Sequence, residues 1–468
     1  MSGEPRAPIS RAGATLLAAL VALAALAAEG CDSPATLPAE GHLVIVLDTD
    51  APLPSSSGTS VGVFDSVELA VLDDAGDPAC GDCAREVGLT QEAVERGATF
   101  VVRNRKAAVL RARLFSSRLG VASRDPATTI EHWLRLPPSP AEAETRVVLT
   151  LPLEQVGIPL GSLTAPTGPG DPDAPLARQP VDSAATDAGP GEVCVEGGWF
   201  WMGDPRLPPE AGAPTLPGAR PTPGERSASA PQLVHITSFC VDEHELTVRE
   251  LRSLDLAKVT ATVAAWSGTT STANLASFCT FTAQPGPNDD RPVVCVPWDA
   301  ARAACRARGM DLPTEAQLEY LGRAFGRSSF VWGQETPSCD DAFIGRAVPP
   351  LSGDTSCTRG VRAPILPSPT ADVAASRDVL DTPGGRVIGL AANVSEWTRE
   401  AFEPRTATCR GPQIGPARDP ECAPDAQTTR IAVRGGNLAS TPAEAAAALR
   451  AFVALPKIRP DLGFRCVR

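Results

Sequence analysis

Histidine is scarce in this chain: four occur in 468 residues, scattered at His42, His132, His235 and His244. Imidazole clusters suit iron and other transition metals, and such spacing offers none. An HExxH zinc motif and a P-loop glycine cradle are also missing. No stripe of Lys and Arg is available to neutralise a phosphate backbone. Acidic residues number 55 against 42 basic ones, for a net charge of -13, so nucleic acid is not an expected partner. Aromatic residues make up only 4%. No apolar run reaches the roughly 20 residues of a membrane-spanning helix, and the candidate at 13–28 stops short.

That run does have the layout of a secretory signal, with Arg6 and Arg11 ahead of it and small residues behind. Cys31 follows Gly30, the position of the acylated cysteine of a bacterial lipoprotein. The expectation is that residues 1–30 are removed, that lipid is carried on Cys31, and that 31–40 form a tether. The other reading is cleavage near Ala28 with Cys31 an ordinary thiol. Lipidation would place the protein in the bacterial cell envelope, on the periplasmic or cell-surface side, touching the membrane through its anchor alone. With Cys31 set aside, twelve of the 13 cysteines remain, the even number that disulfides in an exported protein require.

The length exceeds what one core usually serves, so more than one domain is expected. Between 41 and 156, short runs with apolar alternation or β-rich composition occur at 43–47, 67–72, 99–102, 109–115 and 146–151, divided by Asp, Gly, Ser and Pro clusters. They predict a small antiparallel β-sandwich of immunoglobulin-like size without a catalytic constellation. Cys80 and Cys83 form a CxxC in turn-rich sequence with no second ligand pair, which points to a loop disulfide rather than a redox or zinc site. From 157 to 191 the chain turns to Pro, Gly, Ala and Asp without periodicity, too poor in apolar surface to offset its ordering entropy, and is expected to be a linker. A similar stretch at 207–229 interrupts the next domain.

From 192 onward a set of motifs appears in order: Gly198-Trp-Phe-Trp-Met-Gly203, Asp242-Glu-His-Glu-Leu-Thr247, Arg291-Pro-Val-Val-Cys-Val-Pro-Trp-Asp-Ala300, Leu312-Pro-Thr-Glu-Ala-Gln-Leu-Glu-Tyr320 and Val331-Trp-Gly333. Asn393-Val-Ser-Glu-Trp-Thr398, Val433-Arg-Gly-Gly436 and Gly463-Phe-Arg-Cys466 follow. Together they make residues 192–468 resemble the formylglycine-generating-enzyme (sulfatase-modifying factor) family. The resemblance implies an α+β, C-type-lectin-like fold with little regular secondary structure, here preceded by the all-β sandwich. Read physically, Thr247 with Glu250 and Thr314 with Gln317 have capping-box spacing. Leu251, Leu254, Leu318 and Leu321 follow at helical intervals. Gly309 stops a helix expected over 299–307, and the pair Gly435-Gly436 marks positive φ or close backbone approach.

The resemblance implies oxidation of a cysteine in a Cys-x-Pro-x-Arg peptide by copper held on two thiolates, carried between the Arg-Gly-Gly and Gly-Phe-Arg segments. Copper(I) selects soft thiolates, and 437–465 contains no cysteine. Iron-dependent relatives need a histidine cluster, and only His235 and His244 lie in the domain. Neither copper nor iron is expected. Asn393 and Glu396 match the region where the family holds a structural calcium ion with oxygen ligands; the alternative is that Asn393 caps a turn. Trp199, Trp201, Trp298, Trp332 and Trp397 either line a binding face or fill the core. The resemblance also joins Cys305 to Cys466, a long loop whose closure stabilises by about 4 to 5 kcal/mol on the entropic account. Proximity in the chain favours Cys409 with Cys422 and Cys339 with Cys357, although spacing does not fix connectivity. Two functions stay open. One is a non-catalytic module binding an envelope protein or a glycan; the other is a maturation enzyme, a formylglycine-type oxidase or related metal-dependent oxidoreductase, with ligands supplied from elsewhere. The balance of missing thiols and histidines is against catalysis.

The lipid assignment has a direct check. Cys31→Ser should shift the protein from the membrane to the soluble fraction, and unchanged fractionation would count against it.

Overall fold

The structure, a computed structural model, describes residues 42–57, 62–80, 83–103, 108–137, 145–171, 175–177, 187–205, 231–269, 274–348, 353–358, 365–405, 407–412 and 414–468. The expected signal, Cys31 and its tether lie outside these residues.

Among the described residues, seven strands build the first domain: β1 (His42–Asp48), β2 (Ser66–Leu72), β3 (Ala84–Gly88), β4 (Thr99–Arg103), β5 (Ala108–Phe115), β6 (Ile130–Leu136) and β7 (Thr145–Thr150). They form two sheets, ordered β4-β1-β7 and β3-β2-β5-β6. Alternation drives the packing: Leu43, Ile45 and Leu47 from one sheet meet Leu110, Ala112 and Leu114 from the other in a single core, as residues two apart must in a half-buried strand. The sandwich is mixed rather than antiparallel, because β1 runs parallel to β7. Two strands escape the alternation pattern. β3 is exposed along its whole length. β6 places His132 at a core position, where its ring nitrogens lie 2.6 Å from the Thr150 carbonyl and 2.6 Å from the Thr167 hydroxyl.

Thr167 belongs to the expected linker, which is a correction to its boundary. Residues 157–170 lie along the sheets: Trp133 N–H donates to the Leu160 carbonyl, Thr167 N–H donates to the Trp133 carbonyl while its own carbonyl accepts the Arg135 N–H, and Gly170 N–H reaches the Val148 carbonyl. Backbone pairing of this kind needs no apolar periodicity, so composition alone could not reveal it.

In the second domain the strands are β8 (Glu192–Val195), β9 (Gly198–Met202), β10 (Gln232–Ile236), β11 (Phe239–Asp242), β12 (Val379–Thr382), β13 (Gly385–Ile388), β14 (Ser395–Ala401), β15 (Ala417–Arg418), β16 (Arg430–Arg434), β17 (Ala451–Ala454) and β18 (Leu462–Gly463). The largest sheet runs β17-β16-β14-β18 and the others hold two or three strands. The helices that matter for the site are short. Val248–Ser253 and Glu315–Gly322 each start in a reciprocal capping box, Thr247 with Glu250 and Thr314 with Gln317. Trp298–Ala307 begins one residue before the expected start and ends at Gly309, whose φ of 75° is the left-handed conformation of a helix stop. This is the expected α+β fold with an all-β region before it.

Six disulfides staple these irregular segments. Cys305 joins Cys466, Cys339 joins Cys357, Cys409 joins Cys422 and Cys80 joins Cys83, with Cα separations of 5.4, 5.5, 5.0 and 5.0 Å. Cys194–Cys240 crosses directly between β8 and β11, and Cys279–Cys295 ties a loop. Neither of these last two was evident from spacing.

Strand β9 faces two ways. Phe200 and Met202 enter the second domain's core, whereas Trp201 and Leu233 of β10 belong to the sandwich core, with Trp199 against it. Trp201 Nε1 donates to the Val63 carbonyl at 3.1 Å, and its ring meets Phe64 edge-on at 5.7 Å. Trp201 and Trp397 are buried, so those two of the five candidate tryptophans are core residues. Trp201→Ala should lower stability by about 3 to 5 kcal/mol, the usual cost of such a truncation, read from the denaturant midpoint. A change within the small range of surface substitutions would mean that the domains meet only loosely.

Candidate functional site

The motifs of the second domain converge on a polar interior. Arg465, fully buried in the Gly-Phe-Arg-Cys segment, donates from Nε to both oxygens of Glu396 at 2.9 and 2.7 Å, and from Nη2 to the carbonyls of Ile388 and Gly389. Beside it, Asp242 accepts two hydrogen bonds from Arg308 and the N–H of Cys466. Glu245 sits at the centre with no exposure. Its Oε1 receives Asn393 Nδ2 at 3.3 Å and its Oε2 has no hydrogen-bond partner. Burial, reinforced by Glu396 and Asp378 and opposed by Arg465, pushes the Glu245 carboxyl up to about 8. Asp378 accepts the N–H groups of Leu390, Ala391 and Ala392, yet burial still raises it to about 6. Asn393 holds the backbone turn here with a φ of 67°, a conformation asparagine tolerates better than most residues.

A second buried cluster lies on the helix Glu315–Gly322. Spacing of four puts Glu315 and Glu319 on one face. Glu315 pairs with Arg410, with Arg434 at 3.1 Å and with Arg450 at 2.6 Å. Glu319 takes Arg434 at 2.9 Å and Arg323 at 3.2 Å, and accepts the Gly203 N–H. Burial opposes the Glu315 charge, but Arg410, Arg450 and Arg434 outweigh it and hold the carboxyl well below its ordinary range.

Residues 177–468 match the Sulfatase-modifying factor enzyme 1-like domain. The chain belongs to that family. Among solved structures, it is similar to PvdO from Pseudomonas aeruginosa, with 19% identity, 62% of this chain and 99% of the other covered, and a TM-score of 0.38. CarF follows at 15% identity, 62% and 98% coverage and a TM-score of 0.35. Treponema denticola variable protein 1 has 15% identity, 62% and 99% coverage and a TM-score of 0.32. No curated protein sequence matches the chain.

Residues 437–462, between the Arg-Gly-Gly and Gly-Phe-Arg segments, contain no cysteine. That interval instead holds a turn, Pro442–Ala445, capped by Thr441 and Glu444, and a wall of Ala445, Ala446 and Leu449 packed with Phe330 and Ile344. Of the family domain's histidines, His235 is buried and paired, and His244 Nδ1 lies 2.9 Å from the Glu245 carbonyl.

The side-chain oxygens of Asn393 and Glu396, the pair expected to hold calcium, are engaged within the chain. Arg465 occupies both Glu396 oxygens, and the Asn393 oxygen accepts the Ser368 N–H at 2.7 Å. Calcium needs several oxygens free to converge. Among the described residues, no group of three or more His, Cys, Asp or Glu is placed to hold a metal. Asn393 does act as a turn residue, the alternative left open by the sequence. Glu245 and Asp378 were not singled out from the sequence; an acid inside the Asp-x-x-Glu-x-Thr motif, flanked by residues that bury it, was the available signal.

The raised acids have a signed consequence. Above its ordinary 4.5 the unfolded chain gives up the Glu245 proton, while the folded chain keeps it until about 8. Stability therefore falls as pH rises through that interval. Asp378 acts in the same sense between 3.8 and about 6. Glu245→Gln should flatten the decline of the thermal midpoint between about pH 5 and 8; a variant whose midpoint falls in parallel with the parent would show that Glu245 is not held neutral.

Proposed function

We propose that the sulfatase-modifying-factor domain of this chain is a non-catalytic binding module, carried by a lipid-anchored protein of the bacterial envelope, whose ligand is an envelope protein or a glycan. One observation carries the reading. All twelve cysteines other than Cys31 are committed to disulfides, so no thiolate is left to bind copper or a substrate cysteine. The ion-paired interior stands without them, and a fold retained for its shape is consistent with a role in recognition.

The test uses the purified mature chain, copper, oxygen and a Cys-x-Pro-x-Arg peptide. The peptide cysteine should stay unmodified by mass spectrometry. Appearance of the aldehyde would overturn the proposal and favour the maturation-enzyme reading.

A further inference from the structure

Where the two domains meet, the structure encloses a cavity of about 30 Å³. A water needs roughly 10 to 15 Å³ on the same scale, so the space takes about two water-sized groups, the size of a carboxylate. The sandwich contributes Ser116 and Arg118; the family domain contributes Trp201, Asp204, Phe325 and Arg327.

The chemistry of this lining is unbalanced in one direction. Asp204 is fully buried, accepts the Ser329 hydroxyl at 2.8 Å and lies 3.9 Å from Arg323, so its charge is already offset. Arg118 and Arg327 are exposed at the mouth and form no ion pair among the described residues, although the protein as a whole is acidic. Ser116 is 2% exposed, and its hydroxyl makes no hydrogen bond among the described residues, not even to the helical turn it precedes. That leaves the hydroxyl as a donor able to meet a ligand. The wall is itself held in an uncommon conformation: Ala324, Phe325 and Gly326 have consecutive φ values of 46°, 66° and 78°, and such strain at non-glycine residues gathers at ligand sites. Arg327 lies over the Phe325 ring at 5.4 Å, which steadies its guanidinium at the rim.

We propose that this cavity is a binding site for a small carboxylate, received by Ser116, Arg118 and Arg327 with its apolar part against Trp201. Guanidinium and hydroxyl donors suit a carboxylate, and sites between domains are a common place for small ligands. A free organic acid and the carboxy terminus of a peptide share this chemistry. The proposal does not depend on whether the family domain is catalytic.

Calorimetry or ligand-observed NMR on the full mature chain tests it, with acetate for the free acid, N-acetylglycylglycine for a peptide terminus and acetamide as the neutral control. Acetate or the peptide should bind saturably, the tighter of the two naming the source, and acetamide should not. Ser116→Ala removes a hydroxyl that has no partner, so it should weaken binding several-fold while leaving the thermal midpoint in place. Arg118→Gln with Arg327→Gln should weaken binding about tenfold or more, the loss of at least one charge-assisted hydrogen bond. Absence of saturable carboxylate binding, equal binding of acetamide, or full affinity in these variants would overturn the assignment.

Discussion

The second domain depends on how Glu315 and Glu319 are satisfied. Two carboxylates with no exposure lie on one face of a short helix, and each must be met by donors where no water can reach. Their partners come from distant parts of the chain. Gly203 follows β9, Arg410 lies in a disulfide-closed loop, Arg434 ends β16 and Arg450 precedes β17. A buried ion pair adds little over a well-packed apolar pair, but removing one partner strands the other at a cost of several kcal/mol. The cluster therefore acts through specificity: the helix, the central sheet and the opening strand have one arrangement in which all charges are paired. A domain with so few long helices and strands has little else to fix the register of its loops.

Much of this was legible because its signals are local. Thr247 with Glu250 and Thr314 with Gln317 cap helices through residues three apart, and Gly309 stops a helix through its own backbone freedom. Strand runs such as 67–72 declare themselves by alternation. What stayed hidden depends on partners far away in sequence. The β6 pattern is broken by His132, which is buried only because Thr150 and Thr167 receive it. The pairing of 157–170 with β6 and β7 uses backbone groups that every composition has. The ion pair of Glu396 was hidden for the same reason, since its partner Arg465 lies 69 residues later.

Every cysteine among the described residues is paired. Here sulfur serves as a cross-link. Cys305–Cys466 closes a loop of 161 residues, and shorter bridges hold the segments around Cys279, Cys339 and Cys409. Long loops lose the most unfolded-state freedom when closed, which suits a domain that must keep irregular chain in place with modest apolar burial.

Strand β9 lies within the motif that opens the family domain, and its alternation sews two cores together: Phe200 and Met202 inward, Trp199 and Trp201 toward the sandwich. Because side chains alternate with a strict period of two, a slip of one residue would turn both sets to the wrong side at once. Trp199 and Trp201, the alternate positions of Gly198-Trp-Phe-Trp-Met-Gly203, are thus the seat on which the preceding domain rests.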